Sequence, residues 1–412
     1  MQTTSQRVER VEAVETKMSF ALPQNVEPDP RGSGLLRAKT LDPDRMGLPE
    51  NYDHQPCSVR DCSALDDFTP NIVEHGFGYI DLSQLGSLQE ALQRVSEAGQ
   101  VQDSDASAIR GALRGRSFPI GNGKRMLVFY IAPEGFIMRT AGPNGRDMNP
   151  GASRNGINNH IAAGAVHVDQ DVDGTPVKQI LRDNAPRVFH HDSPLHNNAR
   201  SPVFLLNIWI PLAQETAPLA LMDKRSLDRS RHQLRYGLPT DSFLKRSADR
   251  AVNDIWMMLH DQGQQWYFTS EFDSRRAYIF ETLSTPHGAF ILPGEDRADA
   301  RYRQLEAIMA ALHDGEANAV RHAAQPSTDG SDGSDGSDET GEPLTLPLRR
   351  SIDAMEAAIA HASEHADALC RGEGVAQWRQ RAQGAMDRVV RKSIEMRAVG
   401  LMIPDVWPLN RR

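Results

Sequence analysis

The chain has 412 residues, which is enough for a substantial core in one or two domains. Its formal net charge of -9, from 55 acidic against 46 basic residues, opposes binding to nucleic acid or to an anionic membrane surface. Three scattered cysteines form neither a disulfide framework nor the paired clusters of a structural zinc site. We therefore expect a cytoplasmic protein without a membrane-spanning segment, whose partner is a small molecule.

Residues 1–65 are rich in Pro, Asp, Arg and Gly and show little periodicity, which predicts an extended N-terminal arm over the surface. From Phe68 to Leu212, apolar runs of strand length alternate with turn residues. These runs are "FGYIDL", "RMLVFYIA", "FIMRTA", "GAVHVD" and "VFLLNIWIPL". Apolar residues at helical spacing in "GSLQEALQRVSEAG" predict one helix over 86–98 among these strands.

Residues 223–262 are mostly polar, and we expect them to be helical in part. Two more strand-like stretches follow, "QWYFTSEF" and "AYIFETLS". The apolar period then predicts helices over 298–315 and 349–372. Between these helices, the Gly/Ser/Asp-rich run 325–343 is typical of a flexible, disordered loop, because it has almost no apolar surface to bury.

A last strand is expected over 388–403, where side chains alternate with a period of two. The residues expected on one face are Arg391, Ser393, Glu395 and Arg397. A strand this late would complete the earlier sheet, so the preceding helices would be an insertion and not a separate domain.

These elements predict an α+β protein that is mainly β with flanking helices, arranged as a β-sandwich or an open barrel. The predicted core comprises residues 66–296 and 388–406. The predicted helical insertion comprises residues 297–387 and could cap a pocket, form a packing layer or form a dimer surface.

His167 and Asp169 stand at the end of an apolar run, "AAGAVHVD". Residues i and i+2 of a strand project from the same face, so the imidazole and the carboxylate can converge on one cation. Two histidines and one carboxylate on one face of a metal favour iron(II) and leave positions open for a co-substrate and oxygen. The second histidine must come from elsewhere, and His287 in "TLSTPHGAFILPG" is the best candidate. Alone, the tripeptide is a weak signal, and a strand end with solvated polar residues is the alternative.

A competing histidine cluster lies in "VFHHDSPLHNN", which contains His190, His191, Asp192 and His196. Neighbouring residues of an extended segment point to opposite faces, and the Asp, Pro and Asn content is that of a loop. We therefore expect a solvated loop or a lid that faces the substrate. We interpret His160 in "NNHIAAG" in the same way.

An iron(II) site that uses 2-oxoglutarate also needs a cation for the distal carboxylate of that co-substrate. Arginine suits this role because its planar fork binds a carboxylate through two hydrogen bonds. Arg391 and Ser393 offer such a fork, with a hydroxyl two residues further along the same strand face. The alternative is an edge strand with solvated charges.

In their order along the chain, these residues and five further motifs resemble a known family. The motifs are "NIWIPL", "APLALMD", "QQWYF", "STPHGAF" and "RKSIEMR". The ordered set resembles the gibberellin-desaturase-like and fungal hydroxylase/desaturase group of iron(II)/2-oxoglutarate-dependent oxygenases. It spans about residues 160–400 and is far more specific than any single motif.

The resemblance implies a double-stranded β-helix core, a cupin-like jelly roll, with iron(II), 2-oxoglutarate and O2 as the reacting partners. The residues that it assigns to the metal are His167, Asp169 and His287. The residues that it assigns to the co-substrate pocket are Arg391, Ser393, Arg397, Asn207 and Trp209.

Two features depart from the family pattern. Ile210 stands where arginine commonly follows the Asn-x-Trp element, which puts a polar contact there in doubt. Arg391 lies unusually far along the chain from His287, and the helical insertion would account for this distance. Arg297, ten residues after His287, is the rival carboxylate binder.

The activity expected from the resemblance is hydroxylation or desaturation of a small metabolite as a natural-product tailoring step. Two alternatives stay open: a zinc-dependent hydrolase that uses the same three ligands, and a non-catalytic barrel that binds small molecules. Four arginines could meet a substrate carboxylate, although surface charge is the simpler interpretation. They are Arg182, Arg187, Arg275 and Arg276.

Overall fold

The structure is a computed structural model and shows a mixed α+β protein with two large β-sheets. It describes residues 11–29, 36–39, 41, 48–152, 156–170, 202–239, 252–325 and 344–405. Within these ranges, every helix is too short or too polar to span a bilayer.

Strands precede the long helices, and one further strand follows them. The strands are β1 (Ala13–Ala21), β2 (Val26–Pro28), β3 (Leu36–Ala38), β4 (Tyr52–Asp61), β5 (Phe77–Asp81), β6 (Ser117–Gly121), β7 (Lys124–Ala141), β8 (His167–Val168), β9 (Val203–Ala213), β10 (Leu219–Met222), β11 (Gln233–Pro239), β12 (Val252–Met258), β13 (Trp266–Phe268), β14 (Arg276–Glu281), β15 (His287–Ala289) and β16 (Arg391–Pro404). The helices are α1 (Ile72–His75), α2 (Gly86–Ala98), α3 (Asp103–Leu113), α4 (Arg229–His232), α5 (Glu295–Asp314), α6 (Ala317–Ala323), α7 (Leu346–Glu364), α8 (Ala366–Cys370) and α9 (Val375–Arg388).

The chain passes repeatedly from one sheet to the other. The ten-stranded sheet has the order β1-β4-β13-β10-β15-β8-β12-β11-β3-β2, and the six-stranded sheet has the order β5-β14-β9-β16-β7-β6. Neighbouring strands are antiparallel except for the pairs β3–β11 and β4–β13. Side chains of the two sheets meet in the interior, where Asn207 of β9 contacts Asp169 and Phe280 of β14 contacts His287.

The outer face of the six-stranded sheet is apolar and is covered by α2 and α3. The buried residues of α2 recur at the spacing of one helix face; they are Leu88, Ala91, Leu92 and Val95. They join one core cluster with Ile208 of β9 and Met396 of β16. The helix predicted over 86–98 is confirmed, whereas α3 was not predicted.

The outer face of the ten-stranded sheet is covered by the long C-terminal helices. Leu305 of α5, Met355 of α7 and Trp378 of α9 share a core cluster with Trp256 of β12 and Trp266 of β13. The Trp378 indole donates to the carbonyl of Ala358 at 2.8 Å, so its buried N–H is satisfied. The helices therefore form a packing layer, and their description as an insertion stays a prediction.

β1 and β4 belong to the ten-stranded sheet, so this part of the predicted N-terminal arm is not a surface extension. β1 pairs with β4 over nine residues, and β4 extends the ten-stranded sheet through β13. Val14, Met18 and Phe20 are buried on the same face of β1. The apolar positions alternate with charged ones, and this short period-two pattern was not recognised in the sequence.

Among the described residues of 223–262, the expected partial helix is limited to a 3-10 turn over Lys224–Ser226 and to α4. Only α4 is α-helical there, and β11 pairs with β12 as an antiparallel ladder. The alternation of polar and apolar residues in Gln233-Leu234-Arg235-Tyr236 is typical of a strand but was not recognised in the sequence. Arg235 is buried. Its guanidinium lies 3.0 Å from Asp29 and over the Trp256 ring.

The last strand begins later than predicted, because α9 continues to Arg388. β16 then lies between β7 and β9, so it is a central strand of the six-stranded sheet. The two runs predicted as separate strands near 125–141 form one long strand, β7. The pairing of β7 with β16 shifts in register between Met396 and Ala398.

Glu295, the first residue of α5, joins three segments of the chain although it is completely buried. Its carboxylate accepts backbone N–H groups from Ala217 at 2.6 Å, Asn144 at 2.7 Å and Leu292 at 2.9 Å. Burial raises the pKa of Glu295 to about 7, although these donors and Arg391 act in the opposite direction.

The raised pKa of Glu295 predicts a pH-dependent contribution to stability. This contribution is present below the ordinary value of 4.5 and is lost as the pH rises through about 7, because the folded state holds the proton more tightly. Relative to a Glu295→Gln variant, the wild type should lose on the order of 3 kcal/mol of unfolding free energy between pH 4.5 and 8. Urea unfolding at several pH values measures this difference. A difference that does not change with pH would contradict the prediction, and exposed Glu316→Gln is the control.

Candidate metal centre

Three side chains predicted as metal ligands converge between the two sheets. His167 of β8 and His287 of β15 are directly opposite in the antiparallel ladder, and Asp169 follows β8. The Asp169 Oδ1 atom lies 3.7 Å from His167 Nε2 and 3.6 Å from His287 Nε2. One ligand atom from each residue lies within 4.8 Å of the others. Among the described residues, no other such group of three His, Cys, Asp or Glu side chains was found.

Backbone carbonyls orient both imidazoles. His167 Nδ1 lies 2.8 Å from the Ala165 carbonyl, and His287 Nδ1 lies 3.0 Å from the Thr285 carbonyl. A neutral imidazole that donates from Nδ1 to a carbonyl presents an unprotonated Nε2 lone pair. Both Nε2 atoms lie within 3.7 Å of Asp169 Oδ1, so the arrangement places two nitrogen donors beside one carboxylate.

Asp169 is held as a carboxylate by two polar side chains. Arg397 donates to its Oδ1 atom, and Asn207 donates to its Oδ2 atom at 3.3 Å. Burial opposes ionisation, but Arg397 and the two histidines more than offset it, so the pKa of Asp169 lies well below its ordinary value. Burial and the neighbouring His287 lower the pKa of His167. Two imidazole nitrogens and a carboxylate are a suitable donor set for a divalent metal.

Asn207 and Arg397 were both predicted to line a co-substrate pocket. They are directly opposite each other on β9 and β16, and both reach the same carboxylate. In this structure they contact a candidate metal ligand, and contact with a co-substrate stays a prediction. Gly135 of β7 leaves space for Arg397, because a Cβ atom there would lie 2.6 Å from the Arg397 Cβ.

Arg391 and Ser393 lie further along the same face of β16, and both are buried. The Arg391 guanidinium lies 5.6 Å from the centre of the Trp209 ring. Its Nε and Nη1 atoms, the Ser393 Oγ atom and the Trp209 Nε1 atom have no hydrogen-bond partner among the described residues. Burial lowers the pKa of Arg391 to about 10, so it remains a cation near neutral pH. Unsatisfied buried donors are costly, and a bound anion would satisfy them.

The rival Arg297 is directed elsewhere. It lies on α5, where its guanidinium makes hydrogen bonds of 2.8 to 3.1 Å with the Glu356 carboxylate of α7. Arg275 pairs with Asp273, and Arg276 donates to the Glu271 carbonyl. The remaining predicted residues lie outside the described ranges; they are Arg182, Arg187, His190, His191, Asp192 and His196.

One ion pair in the interior was missed in the sequence. Arg139 of β7 contacts Glu395 of β16, with 2.6 Å between Nε and Oε1. Burial opposes ionisation of Glu395, but Arg139 and Arg397 more than offset it and lower its pKa. Glu395 shares a predicted strand face with Arg391 and Ser393, which is the only signal for it. No local pattern identifies Arg139.

Comparisons with known proteins give weak similarity. Residues 143–305 match a family model described as Oxidoreductase/YMDC permease-like domain, and this segment contains the three metal-ligand candidates but not Arg391. No curated protein matches the chain. Two similar solved structures are described as an iron and alpha-ketoglutarate-dependent endoperoxidase and the same protein with a different conformation. The first is 13% identical with a TM-score of 0.42 and covers 95% of this chain and 98% of that one. The second is 17% identical with a TM-score of 0.40 and covers 69% and 92%.

The donor set predicts that a divalent metal stabilises the folded protein. Cobalt(II) should raise the melting temperature of metal-free wild type, because a ligand that binds only the folded state adds about 2.7 kcal/mol at a hundredfold excess over its Kd. Asp169→Asn removes the anionic ligand and should abolish the shift, whereas exposed His313→Ala should keep it. Differential scanning calorimetry measures each variant with and without metal. An Asp169→Asn variant that keeps the full shift would show that the metal binds elsewhere.

Proposed function

We propose that the protein is an iron(II)/2-oxoglutarate-dependent oxygenase that hydroxylates or desaturates a small-molecule metabolite. The observation that supports this most is the pairing of two features in one interior. A His/Asp/His group suited to iron lies between the sheets, and an unsatisfied Arg391 and Ser393 lie on a strand of the same interior. A zinc hydrolase would have no use for the second feature.

The strand order supports a double-stranded β-helix core for this function. Strands β7, β9, β14 and β16 are consecutive neighbours in the six-stranded sheet, in the order β14-β9-β16-β7. Strands β8, β10, β13 and β15 are neighbours in the ten-stranded sheet, in the order β13-β10-β15-β8. This alternation is expected when a chain winds as a jelly roll of eight strands. In this proposal, the remaining strands extend the ten-stranded sheet at both sides and the six-stranded sheet at its edges.

The proposed roles follow from charge and hydrogen-bonding capacity. His167, Asp169 and His287 would hold iron(II). Arg391 would bind the distal carboxylate of 2-oxoglutarate through the donors of its fork, and Ser393 would donate its hydroxyl. Iron(II) with 2-oxoglutarate supplies oxidation of an unreactive C–H bond by O2, with succinate and carbon dioxide as products.

The protein's own contribution would be to orient these groups and exclude water. Phe280 lies 4.6 Å from the His287 ring, centre to centre, so an apolar surface borders the metal ligands. Trp209 is completely buried beneath Arg391 and shields its guanidinium. Dry surroundings strengthen the attraction between a guanidinium and a carboxylate. The formal charge of -9 supports a small-molecule substrate over nucleic acid, and we propose a cytoplasmic location.

The proposal predicts a spectroscopic signature. Iron(II) and 2-oxoglutarate added anaerobically to metal-free wild type should produce the weak visible charge-transfer band of the chelate. Arg391→Ala should need on the order of 100-fold more 2-oxoglutarate for the same band, because charged hydrogen bonds contribute about 1.5–3 kcal/mol. Titration of the band with 2-oxoglutarate measures this change.

The matched control is Arg297→Ala, which removes a nearby arginine that is already bound to Glu356. It should titrate like wild type, and both variants should bind iron(II) as wild type does. If Arg297→Ala loses the band and Arg391→Ala keeps it, Arg297 and not Arg391 binds the carboxylate. Absence of a band in wild type that retains zinc would favour the hydrolase.

A further inference from the structure

A buried ion pair stands between the metal-ligand candidates and the proposed co-substrate residues. Arg139 and Glu395 are only 16% and 7% exposed in their side chains, and their charged atoms are 2.6 Å apart. Burying two charges costs several kcal/mol, which their mutual attraction often only balances. Neither residue is assigned to the metal or to the co-substrate. The position of the pair suggests another use.

Arg139 makes a second contact, with the chain segment that precedes His167. Its Nη1 atom donates to the Ile161 carbonyl at 2.8 Å. Ile161 belongs to the segment 156–166, which leads into β8. This segment is bonded to β7 through Met138 and Thr140, whose N–H groups donate to the carbonyls of Ile157 and His160. Arg139 therefore adds a side-chain contact at Ile161 to the backbone hydrogen bonds that hold the segment before His167.

Glu395 is connected to Asp169 through its neighbour on β16, Arg397. It stands two residues before Arg397 on the same strand, so both side chains point into the interior. Arg397 donates to Asp169, two residues after His167. The negative charge of Glu395 therefore lies on the same strand face as the Arg397 guanidinium, which is directed at Asp169.

We infer that Arg139 and Glu395 are positioning residues for the His167-x-Asp169 pair. Three side-chain contacts and the intervening chain form a ring. Arg139 contacts Glu395 and the Ile161 carbonyl, and Arg397 contacts Asp169. β16 joins Glu395 to Arg397, and the chain from Ile161 through His167 reaches Asp169. The chain before His167 is held by Arg139, and the chain after it is held by Arg397. The ion pair couples these two anchors across β7 and β16. This inference rests on the proposed metal-binding role of the triad.

A buried ion pair elsewhere in the protein provides a matched control. Arg235 lies 3.0 Å from Asp29, and the two side chains are 5% and 0% exposed. Arg235 aligns with Trp256 of β12, which aligns with Val168 of β8. Side chains alternate across a strand, so Arg235 lies on the sheet face opposite to His167. Arg235→Met should destabilise the fold without moving the metal ligands.

The test measures cobalt(II) affinity and the visible absorption of the bound cobalt(II), which reports ligand geometry. Arg139→Met and Glu395→Gln should each raise the cobalt(II) Kd about 10-fold or more, the usual effect of losing a residue that orients a metal ligand. Both should also shift the absorption bands. Arg139→Lys should give an intermediate Kd, because one ammonium lacks the fork that reaches Glu395 and Ile161 together.

The double variant Arg139→Met/Glu395→Gln separates positioning from stability. Removing both charges leaves none unpaired, so thermal stability should exceed that of either single variant. The Kd should stay raised and the bands shifted, because the Ile161 anchor is still lost. A double variant that regains wild-type affinity and absorption would overturn the inference. Wild-type affinity and absorption in both single variants would also overturn it. Failure of wild type to bind cobalt(II) would instead refute the proposed metal site.

Discussion

The buried carboxylate of Asp169 is the constraint on which the arrangement of the interior depends. An isolated carboxylate in an apolar interior would be protonated or would require compensation. Arg397 and Asn207 supply that compensation, and they do so because β16 and β9 are adjacent and in register. Register matters here, because a slip of one residue in β16 would turn Arg397 to the outer face, and a slip of one residue in β9 would turn Asn207 there. The predicted metal site therefore requires the six-stranded sheet as well as the strands that carry the ligands.

The inner face of β16 changes in character along its length. Arg397 and Glu395 contact Asp169 and Arg139, and among the described residues only the Nη1 atom of Arg397 lacks a hydrogen-bond partner there. In Arg391 both Nε and Nη1 lack a partner, as does the Ser393 hydroxyl. Paired charges suit a part of the interior that must be rigid before any ligand binds. Unsatisfied donors suit a part of the interior that binds an anion. Leaving these buried donors unpaired lowers the stability of the protein without the anion. One strand could thus combine a preformed metal support with a carboxylate site.

A polar interior between two sheets is tolerated because the apolar burial lies mostly on their outer faces. α2 and α3 cover one sheet, and α5, α7 and α9 cover the other. Each large apolar side chain buried there contributes about 1.5–3 kcal/mol. The C-terminal helices are thus part of the folding core, although they separate β15 from β16 along the chain. Loss of that layer should affect the whole protein and not only access to a pocket.

Local patterns in the sequence predicted a mixed fold that is mainly β, the helix at 86–98 and the placement of His167 and Asp169 on one strand face, because periodicity and i, i+2 spacing are local properties. They predicted fewer than half of the strands, namely β5, β7, β8, β9, β13, β14 and β16. The resemblance of the sequence to an oxygenase family also singled out His287, Arg391 and Ser393. Only the tertiary structure decided that Arg397 and Asn207 reach Asp169, that Arg297 binds Glu356, and that Arg139 pairs with Glu395. It also decided that β1 and β4 extend a sheet. These outcomes depend on strand register and on which charges meet in a buried space, and contacts between distant segments leave no periodic trace in a single sequence.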